Sequence, residues 1–405
     1  MPRSTARASG DRPGACVSRW LEPAGVGVIQ TPIKDTILNT EAVDLVGPSL
    51  TKTPQWQDVD LTTLRGDIIP RDRPAVMKGL VKHWPIVRAS LKSPEALLDY
   101  VRARDLGRPV RVLLGQPDIK GLYFYRDDMT GLNFEYASRP FHATLANILA
   151  CSQEANPLSL YTGATSVTEN FPQIGQENTL EILNQHLPDP ARSWLWLGNR
   201  VTAATHYDNY DGINCIVAGA KRFTFFPPDQ FPNLYIGPLD LAPGGQPTSL
   251  VKVSAPDLER FPRFAQALAV AETVDVEPGD AIFIPNLWWH NVESLEPVNL
   301  SMNFWWFEGP DGKAEPFAAL AHALLAITPL PAGDREVWRQ MFDHYVFRTQ
   351  GDPVPYLPPD RRGMLGPLFP ALEGHLRAQL IRSLSKRLPK QLREQIMHLL
   401  TPKPT

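Results

Sequence analysis

Ala204-Thr205-His206-Tyr207-Asp208 sets an imidazole and a carboxylate two positions apart, and Asn286-Leu287-Trp288-Trp289-His290-Asn291 adds a second imidazole 82 positions after Asp208. In an extended strand, residues i and i+2 point to the same side. His206 and Asp208 are therefore expected to reach one metal ion from a single strand, with a later strand bringing His290 across. Two histidines and one carboxylate on one face make the donor set of a non-haem iron(II) site whose opposite coordination positions stay open. A structural zinc site would close itself with a fourth ligand.

Two turns frame these ligands. Glu277-Pro278-Gly279-Asp280 is a tight turn, since proline presets φ and glycine tolerates positive φ. It launches a strand that must stop pairing at Pro285, with His290 at the start of the next one. Gly219-Ala220-Lys221-Arg222 is a second turn, and Lys221 falls fifteen positions after His206. A hairpin of that length is expected to return Lys221 to the neighbourhood of the metal. A buried lysine needs an anionic partner, and a dicarboxylate such as 2-oxoglutarate would supply one.

Outward from these motifs the chain is strand-rich. Val110–Leu114, Leu122–Tyr125, Leu158–Tyr161, Ser193–Trp196, Asn214–Val217, Arg222–Phe226, Ala281–Ile284 and Leu300–Trp305 all read as short strands with Gly and Pro punctuation, which suggests a barrel or sandwich. Ile68-Ile69-Pro70 and Ala75-Val76-Met77 look like a strand pair ending near Gly79. Ser93-Pro94-Glu95 starts a helix, with serine as N-cap and proline in the first turn, and Leu97, Leu98 and Val101 form its apolar face. Residues 1–50 show no sustained period and are expected to be a partly disordered arm. A strand-rich globular domain is expected over 51–310 and a helical region over 311–405. In the latter Leu372, Leu376, Leu380, Leu384 and Leu388 recur every fourth residue, and a second helix is expected from Gln391 to Leu400.

Composition narrows the class. The 405 residues are 43% hydrophobic and 20% charged with net charge −3, which gives no electrostatic case for nucleic acid or an anionic membrane. Cys16, Cys151 and Cys215 form no CxxC pair, so neither a disulfide framework nor an oxidising compartment is expected, and a cytoplasmic setting fits. No apolar run is long enough for a membrane span, and the basic N-terminus lacks the apolar stretch of a secretory signal.

Taken together, Ala204–Asp208, Val217–Pro228, Asn233–Asp240, Pro278-Gly279-Asp280, Pro285–Glu293 and Asn303-Phe304-Trp305-Trp306 resemble the JmjC/cupin-like family of iron(II)- and 2-oxoglutarate-dependent oxygenases. The pattern is similar to its bacterial cupin-like branch and to the asparaginyl hydroxylase factor inhibiting hypoxia-inducible factor, over roughly residues 56–308. The resemblance implies a mainly β, double-stranded β-helix (jelly-roll) core with flanking α/β elements and C-terminal helices that pair two subunits. It implies His206, Asp208 and His290 as iron ligands and catalytic centre, with O2 and 2-oxoglutarate as cosubstrates. Lys221 matches the lysine that pairs with the distal carboxylate of 2-oxoglutarate, and Tyr161 the tyrosine that hydrogen-bonds it. Asn303 and Trp305 match residues flanking the cosubstrate. Thr202 and Thr205 fall on either side of the family's upstream threonine, and Thr205 is taken as the cosubstrate contact. Relatives often carry Asn six positions after the first His, where this chain has Gly212, with Asn214 two further on.

The chemistry so implied is hydroxylation of a protein side chain with release of succinate and CO2, or demethylation if the attacked carbon is an N-methyl group. A small molecule or a modified tRNA base is the alternative substrate, and a non-catalytic metal-binding protein the third class. Tyr123 and Tyr125 could border the mouth of the site. The Trp288-Trp289 and Trp305-Trp306 pairs read as barrel walls.

Overall fold

The computed structural model describes residues 50–307, 316–366, 370–385 and 388–392. They divide into two units, with the boundary at Gly312. The arm expected over 1–50 and most of the helix expected over 391–400 lie outside the described residues.

The first unit is built on two sheets. The six-stranded sheet has the order β1 (Thr51–Lys52), β12 (Glu272–Val276), β11 (Lys221–Phe226), β14 (Trp289–Ser294), β9 (Thr202–His206) and β5 (Leu122–Tyr123). The nine-stranded sheet has the order β2 (Gln55–Trp56), β3 (Ala75–Met77), β13 (Ala281–Ile284), β10 (Asp211–Ala218), β15 (Asn299–Trp306), β8 (Arg192–Gly198), β7 (Ser159–Ser166), β4 (Pro109–Gly115) and β6 (Glu135–Pro140). At their centres, β8-β15-β10-β13 faces β9-β14-β11-β12. Consecutive strands largely alternate between the two sheets, and the central pairs are antiparallel. This is a double-stranded β-helix, the jelly-roll core that the family resemblance implied.

Burial explains the composition of the strands. β13 and most of β15 are buried along their length, because one face of the nine-stranded sheet looks into the barrel and the other is covered by helices. Leu97 and Val101 from the helix Pro94–Arg102, with Phe141, Leu145 and Ile148 from Phe141–Ala150, join Leu195, Leu197, Cys215, Phe283 and Met302 in one apolar cluster. Ser93 caps the first of these helices by accepting the Ala96 N–H at 3.1 Å, as expected. Between the sheets, Ile216, Phe223, Phe225, Val274, Val276 and Ile282 fill one end of the barrel and leave the other end to the site.

Three expectations change. Leu64–Ile68 forms a π-helix followed by a 3₁₀ turn at Ile69–Arg71, so only Ala75–Met77 of the expected strand pair is a strand; Leu64 and Ile68 are both fully buried, a spacing that suits a helical turn. Gly219, at φ +70°, does not close a hairpin, because β10 and β11 belong to different sheets and the turn carries the chain across the barrel. Cys215 is a free buried thiol, whereas Cys151 is disulfide-bonded, against the expectation of no disulfide.

The turn at Pro278-Gly279-Asp280 is as expected, with Gly279 at φ +98°. The Asp280 carboxylate, only 5% exposed, accepts from Lys78 Nζ, from the Gly79 N–H at 2.9 Å and from the Glu277 N–H at 3.2 Å. This holds the start of β13 in place.

The second unit contains the helices Pro316–Ala326, Ala332–Tyr345 and Pro370–Ser385. Leu372, Leu376, Leu380 and Leu384 fall within the last of these, and Leu388 lies beyond its end. Among the described residues no helix is long and apolar enough to cross a membrane.

Candidate active site

His206 is the last residue of β9 and His290 the second of β14, and the two are directly paired across the strands. Their rings lie 4.4 Å apart between centroids. A β-bulge sets this up. The pairing runs from His290↔His206 to Val292↔Ala203, so β9 holds one more residue than β14 over the same span. The extra residue reverses the alternation, and both Ala203 and His206 line the cavity. Asp208 lies just past the end of β9 rather than on it, and its backbone carbonyl accepts the Leu287 N–H at 3.0 Å.

The ring orientations are fixed by the backbone. His206 Nδ1 lies 2.8 Å from the Ala204 carbonyl and His290 Nδ1 2.9 Å from the Trp288 carbonyl. A carbonyl oxygen only accepts, so each Nδ1 carries the proton and each Nε2 presents its lone pair. His290 Nε2 is 3.9 Å from Asp208 Oδ2, and the donor atoms of His206, Asp208 and His290 all lie within 4.8 Å of one another. Burial, then the neighbouring His206, push the His290 pKa down to about 4. It is therefore neutral near pH 7, the form that binds a metal. Two imidazole nitrogens and a carboxylate oxygen converging from one side fit a divalent ion of the iron type.

Lys221 is 5% exposed. Its ammonium donates to Ser301 Oγ at 2.7 Å, and burial lowers its pKa to about 8. Among the described residues no carboxylate pairs with it in a salt bridge. A buried cation answered only by a hydroxyl is an anion site in waiting.

Tyr161, Asn303 and Trp305 line the same cavity as the three donors and Lys221. Burial, then the charge of Asp208, raise the Tyr161 pKa, so its hydroxyl stays protonated and can donate. Asn303 Oδ1 accepts from Trp196 Nε1 at 2.6 Å, which leaves the Asn303 amide NH2 as its free donor group. Thr205 is placed differently. It is fully buried, does not line the cavity, and its hydroxyl has no partner among the described residues. Thr205 precedes the inward-facing His206 and so points to the other side of the strand. Tyr123 and Tyr125 do not border the mouth either: both are buried, and the Tyr123 hydroxyl donates to the Leu113 carbonyl at 3.1 Å.

Ser301, Trp196 and Asn214 join the site without having been singled out as members of it. Asn214 sits across from Asn303 in the β10–β15 pair, lines the cavity, and has a buried Oδ1 with no partner among the described residues. The signal for Asn214 and Ser301 was strand alternation: Asn214 is two residues from Gly212, and Ser301 two from Asn303. Trp288 and Trp289 are walls, as expected, Trp288 donating to the Asp72 carbonyl at 2.9 Å and Trp289 packing against Tyr207 at 4.8 Å.

Comparison with known proteins agrees with this geometry. The model of the family described as the cupin-like domain matches residues 62–312. HSPB1-associated protein 1 of Rattus norvegicus is 30% identical over 256 residues, 59% of this chain and 49% of that protein. The bifunctional peptidase and (3S)-lysyl hydroxylase JMJD7 of Homo sapiens is 27% identical over 294 residues, 65% of this chain and 85% of that protein. tRNA wybutosine-synthesizing protein 5 of Danio rerio is 25% identical over 304 residues, covering 66% and 82%. The chain spans about half or less of the length of HSPB1-associated protein 1 and of the lysine-specific demethylase JMJ31 of Arabidopsis thaliana, which it also matches.

Proposed function

This chain belongs to the cupin-like JmjC oxygenase family, and from that premise we propose that it is an Fe(II)- and 2-oxoglutarate-dependent dioxygenase that hydroxylates a protein side chain, releasing succinate and CO2. One observation carries the proposal: a three-donor cluster and a buried ammonium that pairs with no carboxylate among the described residues line a single cavity.

His206 Nε2, His290 Nε2 and an Asp208 oxygen would hold the iron. Lys221 would bind the distal carboxylate of 2-oxoglutarate, with Ser301 fixing the ammonium and the Tyr161 hydroxyl adding a donor. Asn303, its carbonyl engaged by Trp196, would offer its NH2 to the cosubstrate. When bound, the iron and 2-oxoglutarate supply activation of O2 and oxidation of a substrate C–H bond. The chain's own work is orientation and exclusion of water. The backbone carbonyls of Ala204 and Trp288 hold the two imidazoles, and Phe223, Ile284 and Val292 make the cavity wall apolar.

A protein substrate is favoured by the likeness to a lysyl hydroxylase over most of that protein's length and by the absence of net positive charge. The likeness to a tRNA-modifying protein supports the second reading, a modified base. Anaerobic titration with iron(II) and 2-oxoglutarate, followed by oxygen, tests the proposal. A charge-transfer absorbance and succinate are expected; neither appearing above an Asp208→Ala control would end the enzyme reading. Peptides from a lysate of the source organism that gain the mass of one oxygen would identify the substrate class.

The second unit is proposed to pair two copies of the chain. Val337, Trp338, Met341 and Tyr345 on the helix Ala332–Tyr345, and Leu320, Leu324 and Leu325 on Pro316–Ala326, are all more than 40% exposed. Exposed apolar side chains gathered on a surface mark a site of association with another protein surface. Light scattering should give twice the mass of the chain, and the monomer mass would exclude pairing.

A further inference from the structure

We propose that Tyr210 and Trp305 form a stacking platform at the mouth of the cavity that receives a planar side chain of a protein substrate beside the residue to be oxidised, and that Gly212 is what seats it. The proposal rests on the oxygenase reading of the same cavity.

Tyr210 follows Asp208 by two residues, and its ring stacks on Trp305 with centroids 6.0 Å apart and planes at 27°. Both residues line the cavity, yet Tyr210 is 42% exposed. A ring so exposed contributes little as core. Trp305 itself is braced from within: Trp196 meets it edge-on at 5.6 Å, and Trp194 lies at 6.0 Å. It is thus the inner half of a stack whose outer half reaches solvent at the opening.

Gly212 and Trp305 are opposite each other in the β10–β15 pair. A Cβ on Gly212 would lie 2.9 Å from Trp305 Cδ1 and 3.2 Å from Nε1, too close to the rigid part of the indole for a small rotation to relieve. Any other residue there, including the Asn that the family resemblance leads one to expect, would force the indole out of this position. This chain gives up an amide at that position and gains room for a ring.

Leu287, which does not line the cavity, is a further exposed apolar residue tied by its backbone to Asp208. Its N–H is bonded to the Asp208 carbonyl, and the Asn286 N–H to Asp211 Oδ1 at 2.9 Å. Leu287 is held at φ +65° and is 43% exposed. A left-handed conformation is strained for an aliphatic side chain, and here the strain serves no buried contact.

Stacked phenol and indole faces attract aromatic rings and guanidinium groups. Among the described residues lining the cavity, Lys221 is the one lysine or arginine, and it is buried. Beside the platform, exposed Arg192 stands opposite Trp305 in the β8–β15 pair, but one arginine on a chain of net charge −3 makes a poor seat for a nucleic-acid backbone, which favours a peptide.

Equilibrium binding to the Mn(II)-loaded, oxygen-free protein with 2-oxoglutarate tests this without turnover. Two fluorescent degenerate peptide pools are compared by anisotropy, one with Trp fixed at its centre and one with Ala. The native protein should bind the Trp pool about three- to tenfold more tightly, the range expected of an aromatic stack. Tyr210→Ser should abolish that preference, Tyr210→Phe should keep it, and Gly212→Ala should weaken it. Equal binding of the two pools by the native protein, or a preference that survives Tyr210→Ser, would overturn the platform. Tyr210-dependent binding of a degenerate single-stranded oligonucleotide pool, with neither peptide pool bound, would overturn the peptide assignment. Binding of 2-oxoglutarate is measured in parallel. Its absence in the native protein would count against the oxygenase reading itself, whereas its persistence in Tyr210→Ser isolates the platform.

Discussion

The two sheets face one cavity and furnish it with different chemistry. The six-stranded sheet brings the groups that carry or answer charge: His206 at the end of β9 with Asp208 just beyond it, His290 on β14, and Lys221 at the start of β11. The nine-stranded sheet brings rings, amides and a hydroxyl: Tyr161 on β7, Trp196 on β8, Asn214 on β10, and Ser301, Asn303 and Trp305 on β15. The metal donors and the cation for the dicarboxylate thus stand on one wall, and the neutral groups that add hydrogen bonds and shape what can approach them stand on the other. Substitutions on the first wall should remove binding steps outright. Those on the second should mostly retune them.

The sharpest break of that division is Asp208→Ala. Removing one of three donors should cost more metal affinity than the 10–100-fold typical of losing an outer partner, with succinate formation falling in step. Iron(II) titration under anaerobic conditions measures it. Tight iron binding by the variant would mean that the three donors are not the metal site.

Lys221→Met should leave metal affinity intact and weaken 2-oxoglutarate by about 2–5 kcal/mol, the usual cost of truncating one partner of a buried charge pair. Titration of the Mn(II) protein with 2-oxoglutarate reads this directly. The same lysine predicts a pH dependence. Burial lowers its pKa from 10.5 to about 8, so between those values the unfolded chain holds a proton that the native chain lacks. Stability of the ligand-free protein should therefore rise with pH through that window. Cosubstrate binding should do the opposite. Above about pH 8 the dianion must restore the missing proton, and its affinity should fall by up to about tenfold per pH unit. Lys221→Met should flatten both trends.

Ser301→Ala, on the opposite wall, should have the smallest effect. It removes a neutral acceptor from a charged donor, a bond worth about 1.5–3 kcal/mol. The loss of 2-oxoglutarate affinity should be smaller than for Lys221→Met, with no change in metal binding. A loss as large as that of Lys221→Met would show that the two sheets do not divide the work in this way.

Much of the first wall was legible because its signals are local. A His-x-Asp motif, a Pro-Gly-Asp turn and a lysine at a fixed interval survive in one dimension. The second wall was less so. Tyr161, Asn303 and Trp305 came only through family resemblance, while Ser301 and Asn214 went unremarked as site members, being ordinary strand residues whose facing is set by register. Thr205 failed on plain alternation: next to the inward-facing His206, it points to the opposite side of β9. The expected hairpin at Gly219 failed because a turn's sequence fixes its local bend and not which sheet receives the next strand.

The sequence by itself determined the donor types, their spacing and the strand-rich character of the core, since side-chain chemistry, two-residue periodicity and turn propensities act over a few residues. Tertiary structure alone decided which donors meet, that Lys221 is buried against a hydroxyl, and that the space above Gly212 belongs to the ring of Trp305. Those outcomes depend on strand pairing across long stretches of chain and on close packing between sheets, where a bulge of one residue or a single missing Cβ changes what a side chain touches.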